Sequence, residues 1–162
     1  MYDDILFPTD GSAGTTIALR QCLSQAEIAG ATVHALYVVD VRTYGALPEE
    51  MQEQVARALQ RAGADAVDRI AERAEALGVE VKGEVRHGIP HEEILSYADE
   101  SGVDLIVMGT HGRSGEAHRI LGSVAEEVVR NARVPVLTVR MSESAVDALE
   151  EDVPEEQRRY IT

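Results

Sequence analysis

The sequence contains very little cysteine and lysine, and it has no long apolar run. Of its 162 residues one is cysteine, Cys22, and one is lysine, Lys82. A single cysteine excludes an internal disulfide, which fits a reducing interior. No apolar run approaches the length of a membrane span, and no signal peptide precedes the first predicted strand. We therefore expect one cytoplasmic domain, large enough to bury an ordinary core.

Basic residues are also scarce relative to acidic ones. The chain has 29 aspartates and glutamates against 15 lysines and arginines, which gives a net charge of −14. Such a surface repels phosphate backbones and anionic lipids, so neither nucleic acid nor a membrane is expected as a partner. An acidic, lysine-poor composition resembles that of halophilic proteins, although a genomic bias from lysine to arginine would also produce it.

Short apolar runs alternate with helical patterns along the chain. Alternation of this kind predicts one parallel sheet covered by helices on both faces, with right-handed crossovers. The strand at 79–86 alternates apolar and charged residues and should lie at an edge, whereas the unbroken apolar run at 105–108 predicts a central strand. The predicted strands are residues 4–8, 32–39, 79–86, 105–108 and 135–139.

Helical spacing between the strands predicts helices, the first of them ending at Gly30. Turn and capping signals in residues 9–12 precede it, and His34 in the second strand is expected to be a packed residue rather than a metal ligand. Residues 40–49 are predicted as a loop, followed by a long helix from Pro48 to Gly78 that Gly63 would loosen or bend. The predicted buried stripe of that helix is Met51, Val55, Leu59, Ala62, Ala66, Ile70, Ala74 and Leu77.

A glycine-rich segment joins the central strand to the next helix. Gly109, Gly112, Gly115 and Gly122 lie between that strand and Ser123. The first N–H groups of a helix lack partners and carry the positive end of its dipole, so this order suits a bound anion. Ser123 is either a hydroxyl donor to the anion or simply the helix N-cap. Neither G-x-G-x-x-G nor the P-loop lysine is present.

Two of the loops that follow strands carry residues suited to binding a ligand. In parallel sheets, ligands bind beyond the carboxyl ends of the strands, where the winding direction reverses. The loop at 9–11 follows the first strand and the loop at 109–122 follows the fourth. If those strands are neighbours, both loops face one crevice.

The glycine spacing resembles that of a known family. G-x-x-G, nine residues, then G-S runs from Gly109 to Ser123, and the segments ILFPTDGS, GIPHEEI and VPVLTVR accompany it. This is similar to the universal stress protein family over residues 1 to about 140, with residues 141–162 left as an acidic tail. The resemblance implies strand order 3-2-1-4-5 and a homodimer formed by antiparallel pairing of the strand from Pro135 to Val139. It also implies ATP binding, with Mg or Mn.

The resemblance also implies a set of nucleotide-binding residues. Asp10 would meet the ribose or a metal-bound water, and Val38 would contact the adenine through its backbone. Position 125 is alanine here, where some relatives have a hydroxyl residue. The implied set is Pro8, Thr9, Asp10, Val38, Met108, Gly109, His111, Gly112, Arg113, Ser114, Gly115, Gly122, Ser123, Val124 and Ala125.

The glycine segment offers few groups for catalysis. Fast phosphoryl transfer needs a positioned base, metal ligands and a cation at the γ-phosphate. Only Arg113, Arg119, His111 and His118 are candidates there, and each also has an ordinary surface or packing role. We therefore expect a nucleotide-dependent switch or stress-response module with at most slow hydrolysis. A slow ATP-hydrolysing enzyme and a structural dimer with an empty pocket are the alternatives.

Overall fold

The computed structural model describes residues 1–111 and 120–140. Strands and helices alternate through these residues, and the strand bounds differ from the predicted ones by one or two positions. The elements are β1 Asp4–Thr9, α1 Thr15–Ala29, β2 Thr32–Asp40, α2 Arg42–Gly45, α3 Glu49–Glu75, β3 Val81–Gly88, α4 Pro90–Ser101, β4 Leu105–Gly109, α5 Ser123–Asn131 and β5 Val136–Val139.

Within the described residues the strands form one parallel sheet of five, in the order β3-β2-β1-β4-β5. This confirms the expected fold and places β3 at an edge. The winding direction reverses at β1, which pairs with β2 on one side and β4 on the other. The loops that follow β1 and β4 therefore leave the sheet at adjacent points of its carboxyl edge.

Each face of the sheet packs against its own pair of helices. Ile5 and Phe7 of β1 pack in one cluster with α1 and α3, whereas Leu6 packs in a second cluster with α4 and α5. Successive side chains of a strand point to opposite faces, and the strands are apolar at both sets of positions because both faces are covered. The central strands are consequently buried along almost their whole length.

A histidine and a cysteine, residue types that often act in catalysis, are buried in this core. His34 donates or accepts through both ring nitrogens, at 2.8 Å from the Tyr97 hydroxyl and 2.7 Å from Asp4 Oδ1, which confirms its packed role. Cys22 is fully buried, and burial raises the pKa of its thiol to about 12. The described residues contain no cluster of three or more metal-ligating side chains and no helix long and apolar enough to cross a membrane.

The predicted stripe of α3 is wrong in part. Met51 is 50% exposed, Leu77 is 45% exposed and Ala62 is also exposed. The helix is about 40 Å long at 1.5 Å per residue, but β3 beneath it is only about 26 Å long. The amphipathic pattern therefore extends beyond the sheet at its two ends, where Met51 and Leu77 lie, whereas Ala62 lies in the middle of the helix beside the buried Gly63 and faces away from the sheet. The residues that are buried are Gly63, Ala66, Val67, Ile70 and Ala74.

Three other local expectations also need correction. Gly63 is buried in α3, where a Cβ would lie 2.6 Å from Tyr37 Cδ1. The glycine therefore lets the Tyr37 ring pack against the helix, and it does not loosen the helix. Residues 40–49 are not only a loop, because a bond from the Gly45 N–H to the Val41 carbonyl closes the short helix α2. Residues 9–12 do not cap α1, whose N-cap is Gly14 without a side-chain hydrogen bond.

Close packing between α3 and β3 yields the first prediction. A Cβ on Gly83 would lie 2.1 Å from Val67 Cγ1. We expect Gly83→Ala to lower the free energy of unfolding by about 1–3 kcal/mol, the usual cost of overpacking. Urea denaturation measures it. In a Val67→Ala background most of that cost should disappear, because the clashing methyl group is removed. As a second control, Gly45→Ala should leave the free energy of unfolding nearly unchanged, since a Cβ at residue 45 has no neighbour within 4 Å. An equal cost of Gly83→Ala in both backgrounds would contradict this packing.

Candidate functional site

A cavity of about 490 Å³ opens at the carboxyl ends of β1, β2 and β4, where the winding reverses. We call it the crevice. Every described member of the predicted site set lines it. These residues are Pro8, Thr9, Asp10, Val38, Met108, Gly109, His111, Gly122, Ser123, Val124 and Ala125. The other four predicted residues, Gly112, Arg113, Ser114 and Gly115, lie outside the described residues.

The crevice also has walls that the sequence did not indicate. Thr43 of α2 and Leu59 of α3 close one side, and Pro90 and Ile94 of α4 close another. These residues come from elements distant in sequence, and nothing in their local pattern marks them as lining a site. The remaining additions, which adjoin predicted positions or lie near them, are Thr15, Leu36, Tyr37, Val39, Asp40 and Thr110.

The N-terminus of α5 forms the part of the crevice suited to an anion. The first helical bond runs from the Glu126 N–H to the Gly122 carbonyl, so the N–H groups of Ser123, Val124 and Ala125 have no partner among the described residues. Unpartnered N–H groups at this end carry partial positive charge. The N-cap is Gly122 and no side chain caps the helix, so the alternative of Ser123 as the N-cap is wrong.

Gly122 lies against the end of β4. Its N–H donates to the Thr110 carbonyl at 2.6 Å, and a Cβ there would lie 3.2 Å from the same oxygen. The backbone of residue 122 can approach β4 this closely because glycine has no side chain. The glycine therefore fixes the distance between the start of α5 and the sheet.

The end of β2 presents a backbone acceptor to the crevice. Even-numbered residues of β2 direct their peptide groups towards β1, as the bond from the Thr32 N–H to the Asp3 carbonyl shows. The last pair between the two strands is Thr9 with Tyr37. Parallel pairing would next join the Gly11 N–H to the Val38 carbonyl, but that N–H donates to Thr9 Oγ1 at 3.0 Å. The Val38 carbonyl is therefore not used by the ladder on this side.

The loop from β1 to α1 is held by its own polar side chains. Besides accepting from Gly11, Thr9 Oγ1 lies 3.4 Å from Thr15 Oγ1. Asp10 Oδ1 accepts the Ser12 N–H at 2.9 Å. These bonds order the loop.

Asp40, at the end of β2, is paired with a neighbouring arginine. Arg42 donates from Nε to Oδ1 at 2.9 Å and from Nη2 to Oδ2 at 2.7 Å, and the Arg42 N–H also donates to Oδ1. Hydrogen bonding by the Arg42 side chain holds the pKa of Asp40 below its ordinary value, against a smaller opposing effect of burial. The carboxylate is therefore ionised at neutral pH and its charge is compensated.

We expect Arg42→Gln to raise the pKa of Asp40 towards the ordinary carboxyl value. A depressed folded-state pKa stabilises the protein above the unfolded-state pKa, and this contribution disappears as the pH falls through the folded-state value, below about pH 4. The variant should therefore lose less stability over that acid range than the wild type. Carbon-13 NMR titration of the Asp40 carboxyl measures the shift. Arg57→Gln, which removes the ion pair with Glu53 on α3, should leave the pKa of Asp40 unchanged, and an unchanged value in Arg42→Gln would contradict the assignment.

Comparison with known proteins places the chain in a family. It matches the sequence profile of the universal stress protein family over residues 1–140. A universal stress protein of Methanocaldococcus jannaschii is 40% identical over 141 residues, covering 86% of this chain and 83% of that protein. The solved structure of MJ0577, from the same organism, has a TM-score of 0.81 at 35% identity and covers 88% and 99% of the two chains. A universal stress protein solved in complex with cAMP has a TM-score of 0.66 at 26% identity, covering 87% and 98%. The chain therefore belongs to the universal stress protein family.

Proposed function

We propose that the crevice binds ATP and that the protein acts as a nucleotide-dependent switch or stress-response module in a homodimer. The observation that carries this proposal is the set of unpartnered N–H groups of Ser123, Val124 and Ala125 at one end of a cavity of about 490 Å³. A family member of known structure is in complex with cAMP, which supports an adenine nucleotide as the ligand class.

The two ends of the crevice suit the two ends of a nucleotide. Leu36, Leu59 and Ile94 provide apolar surface near the Val38 carbonyl, which would accept a hydrogen bond from the adenine amino group. Asp10 lies between this end and α5, in a position for the ribose. The phosphates would contact the α5 N-terminus, and the proposed loop residues Gly112, Arg113, Ser114 and Gly115 would complete their site.

A divalent cation fits the donors of this crevice. Asp10 and Asp40 line it, and none of its described lining residues is a lysine or an arginine. Carboxylate and phosphate oxygens are the ligands that Mg²⁺ and Mn²⁺ prefer. Asp10 follows β1, the strand next to β4, and would contact such an ion through a water molecule. The ion would neutralise phosphate charge next to these carboxylates.

Gly122→Val tests the phosphate placement directly. A valine side chain would push α5 away from Thr110 and displace its N–H groups. We expect ATP affinity to fall about a hundredfold or more, as for the loss of two charge-assisted hydrogen bonds. Isothermal titration calorimetry with Mg²⁺ or Mn²⁺ measures it, at high potassium chloride, because the acidic, lysine-poor composition with a net charge of −14 supports a halophilic setting.

Controls separate the proposed function from its alternatives. Gly45→Val, at a glycine whose Cβ has no neighbour within 4 Å, should bind ATP like the wild type. Wild-type affinity in Gly122→Val would place the phosphates elsewhere. A wild-type protein that gives no heat with ATP and contains no copurified nucleotide would be a structural dimer. Turnover above about one per second, a typical enzyme scale, would favour the ATP-hydrolysing enzyme over the switch.

The homodimer is proposed from the exposed edge of β5. This strand ends the sheet on one side among the described elements, so its outer N–H and C=O groups are available to a second copy. Leu137 on the strand is 39% exposed, and Val129 on α5, which packs beside β5, is also exposed. Antiparallel pairing along the strand from Pro135 to Val139 would cover both the edge and its apolar side chains.

Leu137→Glu should convert the dimer to a monomer, because a carboxylate would face its own copy across the pairing. Light scattering after size-exclusion chromatography should give twice the 17.6 kDa chain mass for the wild type and a single chain mass for the variant. The matched control is Ile28→Glu on α1, another exposed aliphatic residue (75% exposed), which should remain dimeric. A dimeric Leu137→Glu would place the interface elsewhere.

A further inference from the structure

A second, smaller cavity lies where the start of α1 meets α3. Its volume is about 70 Å³, which is room for a few waters or one tetrahedral oxyanion but not for a nucleotide. Thr9 and Thr15 line it and also line the crevice, so the loop from β1 to α1 is a shared wall. The other lining residues are Phe7, Gly11, Ser12, Thr16, Leu19, Ala66, Arg69, Ile70 and Arg73.

Ser12 lines this cavity and has a hydroxyl without a hydrogen-bond partner. Its Oγ exposes less than 1 Å² and has no hydrogen-bond partner, and it is the only buried side-chain polar atom in this state among the described residues. The backbone of Ser12 is fully engaged, since its N–H donates to Asp10 and its carbonyl accepts from Thr15. The hydroxyl does not cap α1, whose N-cap is Gly14. A buried donor without a partner implies a missing one.

Two arginines on one face of α3 provide positive charge. Arg69 and Arg73 are one turn apart, and neither forms an ion pair with any residue in 1–111 or 120–140. No aspartate or glutamate is among the described lining residues, although the chain has 29 of them. Both arginines are exposed, and guanidinium groups that form no close ion pair keep their donors for an anionic ligand.

The first turn of α1 adds to the same electrostatic preference. Thr15 and Thr16 lie in the N-terminal turn of this 15-residue helix, where the positive end of the dipole favours an anion. Their N–H groups already donate to the Ser12 and Ala13 carbonyls, so the helix would contribute through its dipole. Phe7, Leu19 and Ile70 supply the apolar part of the lining.

We propose that this cavity is an oxyanion site that takes inorganic phosphate. Arg69 and Arg73 would hold the phosphate oxygens through their planar donors, and the Ser12 hydroxyl, which is covered in this structure, would turn to donate to the bound phosphate. The site is distinct from the crevice, and it does not depend on nucleotide binding there. The terminal phosphate of a nucleotide in the crevice presents the same oxygens and is the other source of this chemistry.

The test is calorimetric titration of nucleotide-free protein with potassium phosphate, with potassium chloride adjusted to keep ionic strength constant. We expect saturable binding of one phosphate per chain, weakened about tenfold by Arg69→Gln and by Arg73→Gln, the loss of one charge-assisted interaction each. Arg61→Gln is the matched control, since it makes the same charge change two turns earlier on α3 and does not line the cavity. It should bind phosphate like the wild type.

Ser12→Ala provides an independent readout. It should weaken phosphate binding severalfold, yet leave the phosphate-free protein at least as stable as the wild type, because it removes a buried donor that lacks a partner. A structural hydroxyl would instead cost stability when removed. Competition by ATP but not by adenosine would assign the site to a nucleotide's terminal phosphate. The proposal is overturned if phosphate does not saturate, or if Arg61→Gln weakens binding as much as the two cavity arginine variants.

Discussion

The hydrogen bond between the Gly122 N–H and the Thr110 carbonyl fixes the geometry on which the crevice depends. Thr110 itself donates its N–H to the Val139 carbonyl, so the start of α5 is joined through this residue to β4 and to the edge strand β5. Glycine suits this close approach, since a Cβ at residue 122 would lie 3.2 Å from the carbonyl oxygen, a tight contact. Because the Gly122 N–H is used in this way, the next three N–H groups are the ones that remain for a ligand.

Much of this arrangement could be predicted from the sequence, although by two different routes. The apolar runs and their alternation predicted the strands, the parallel sheet and the edge position of β3. The strand order and the lining residues came from the resemblance, carried by the spacing from Gly109 to Ser123. Hydrophobic periodicity failed on α3, because it predicts which side of a helix is apolar and not how far the sheet extends beneath it. Met51 and Leu77 fit the period and are exposed, whereas Gly63 appeared to be a weak point and packs against Tyr37.

The lining residues that the sequence did not predict share one property: their place in the site depends on how distant parts of the chain pack together. Thr43 and Leu59 reach the crevice because α2 and the first half of α3 extend past the carboxyl edge of the sheet. Their positions depend on how far each element projects, which is a long-range quantity. The hydroxyl of Ser12 is a similar case, since a serine before a helix ordinarily predicts a cap. That α1 begins at Thr15, with Gly14 at its N-cap, is visible only in the folded chain.

The acidity of the chain is consistent with an anion site built from backbone N–H groups, those at the N-terminus of α5, rather than from basic side chains. A cluster of lysines attracts an anion over a distance of about a Debye length, and salt screens that attraction. Hydrogen bonds from fixed N–H groups act at contact distance and are partly protected from solvent, so they depend less on ionic strength. Arg42, an arginine beside the described part of the crevice, is engaged with Asp40. Among the described residues, recognition of a phosphate group would therefore rest on the N–H groups of α5 at short range and on a cation that accompanies the ligand.

The loop from β1 to α1 connects this crevice to the smaller cavity beside it. Thr9 and Thr15 line both spaces and lie 3.4 Å apart through their hydroxyls, so a ligand that moves one wall also moves the other. Any effect of phosphate on nucleotide affinity must be matched by an equal effect of nucleotide on phosphate affinity. Two anions on either side of one loop repel each other, whereas ordering of the loop by the first ligand reduces the entropy that the second must lose. If both proposed ligands bind, charge neutralisation by a divalent cation on the nucleotide would weaken the repulsion and leave the ordering unchanged, so the sign of the coupling would depend on the metal.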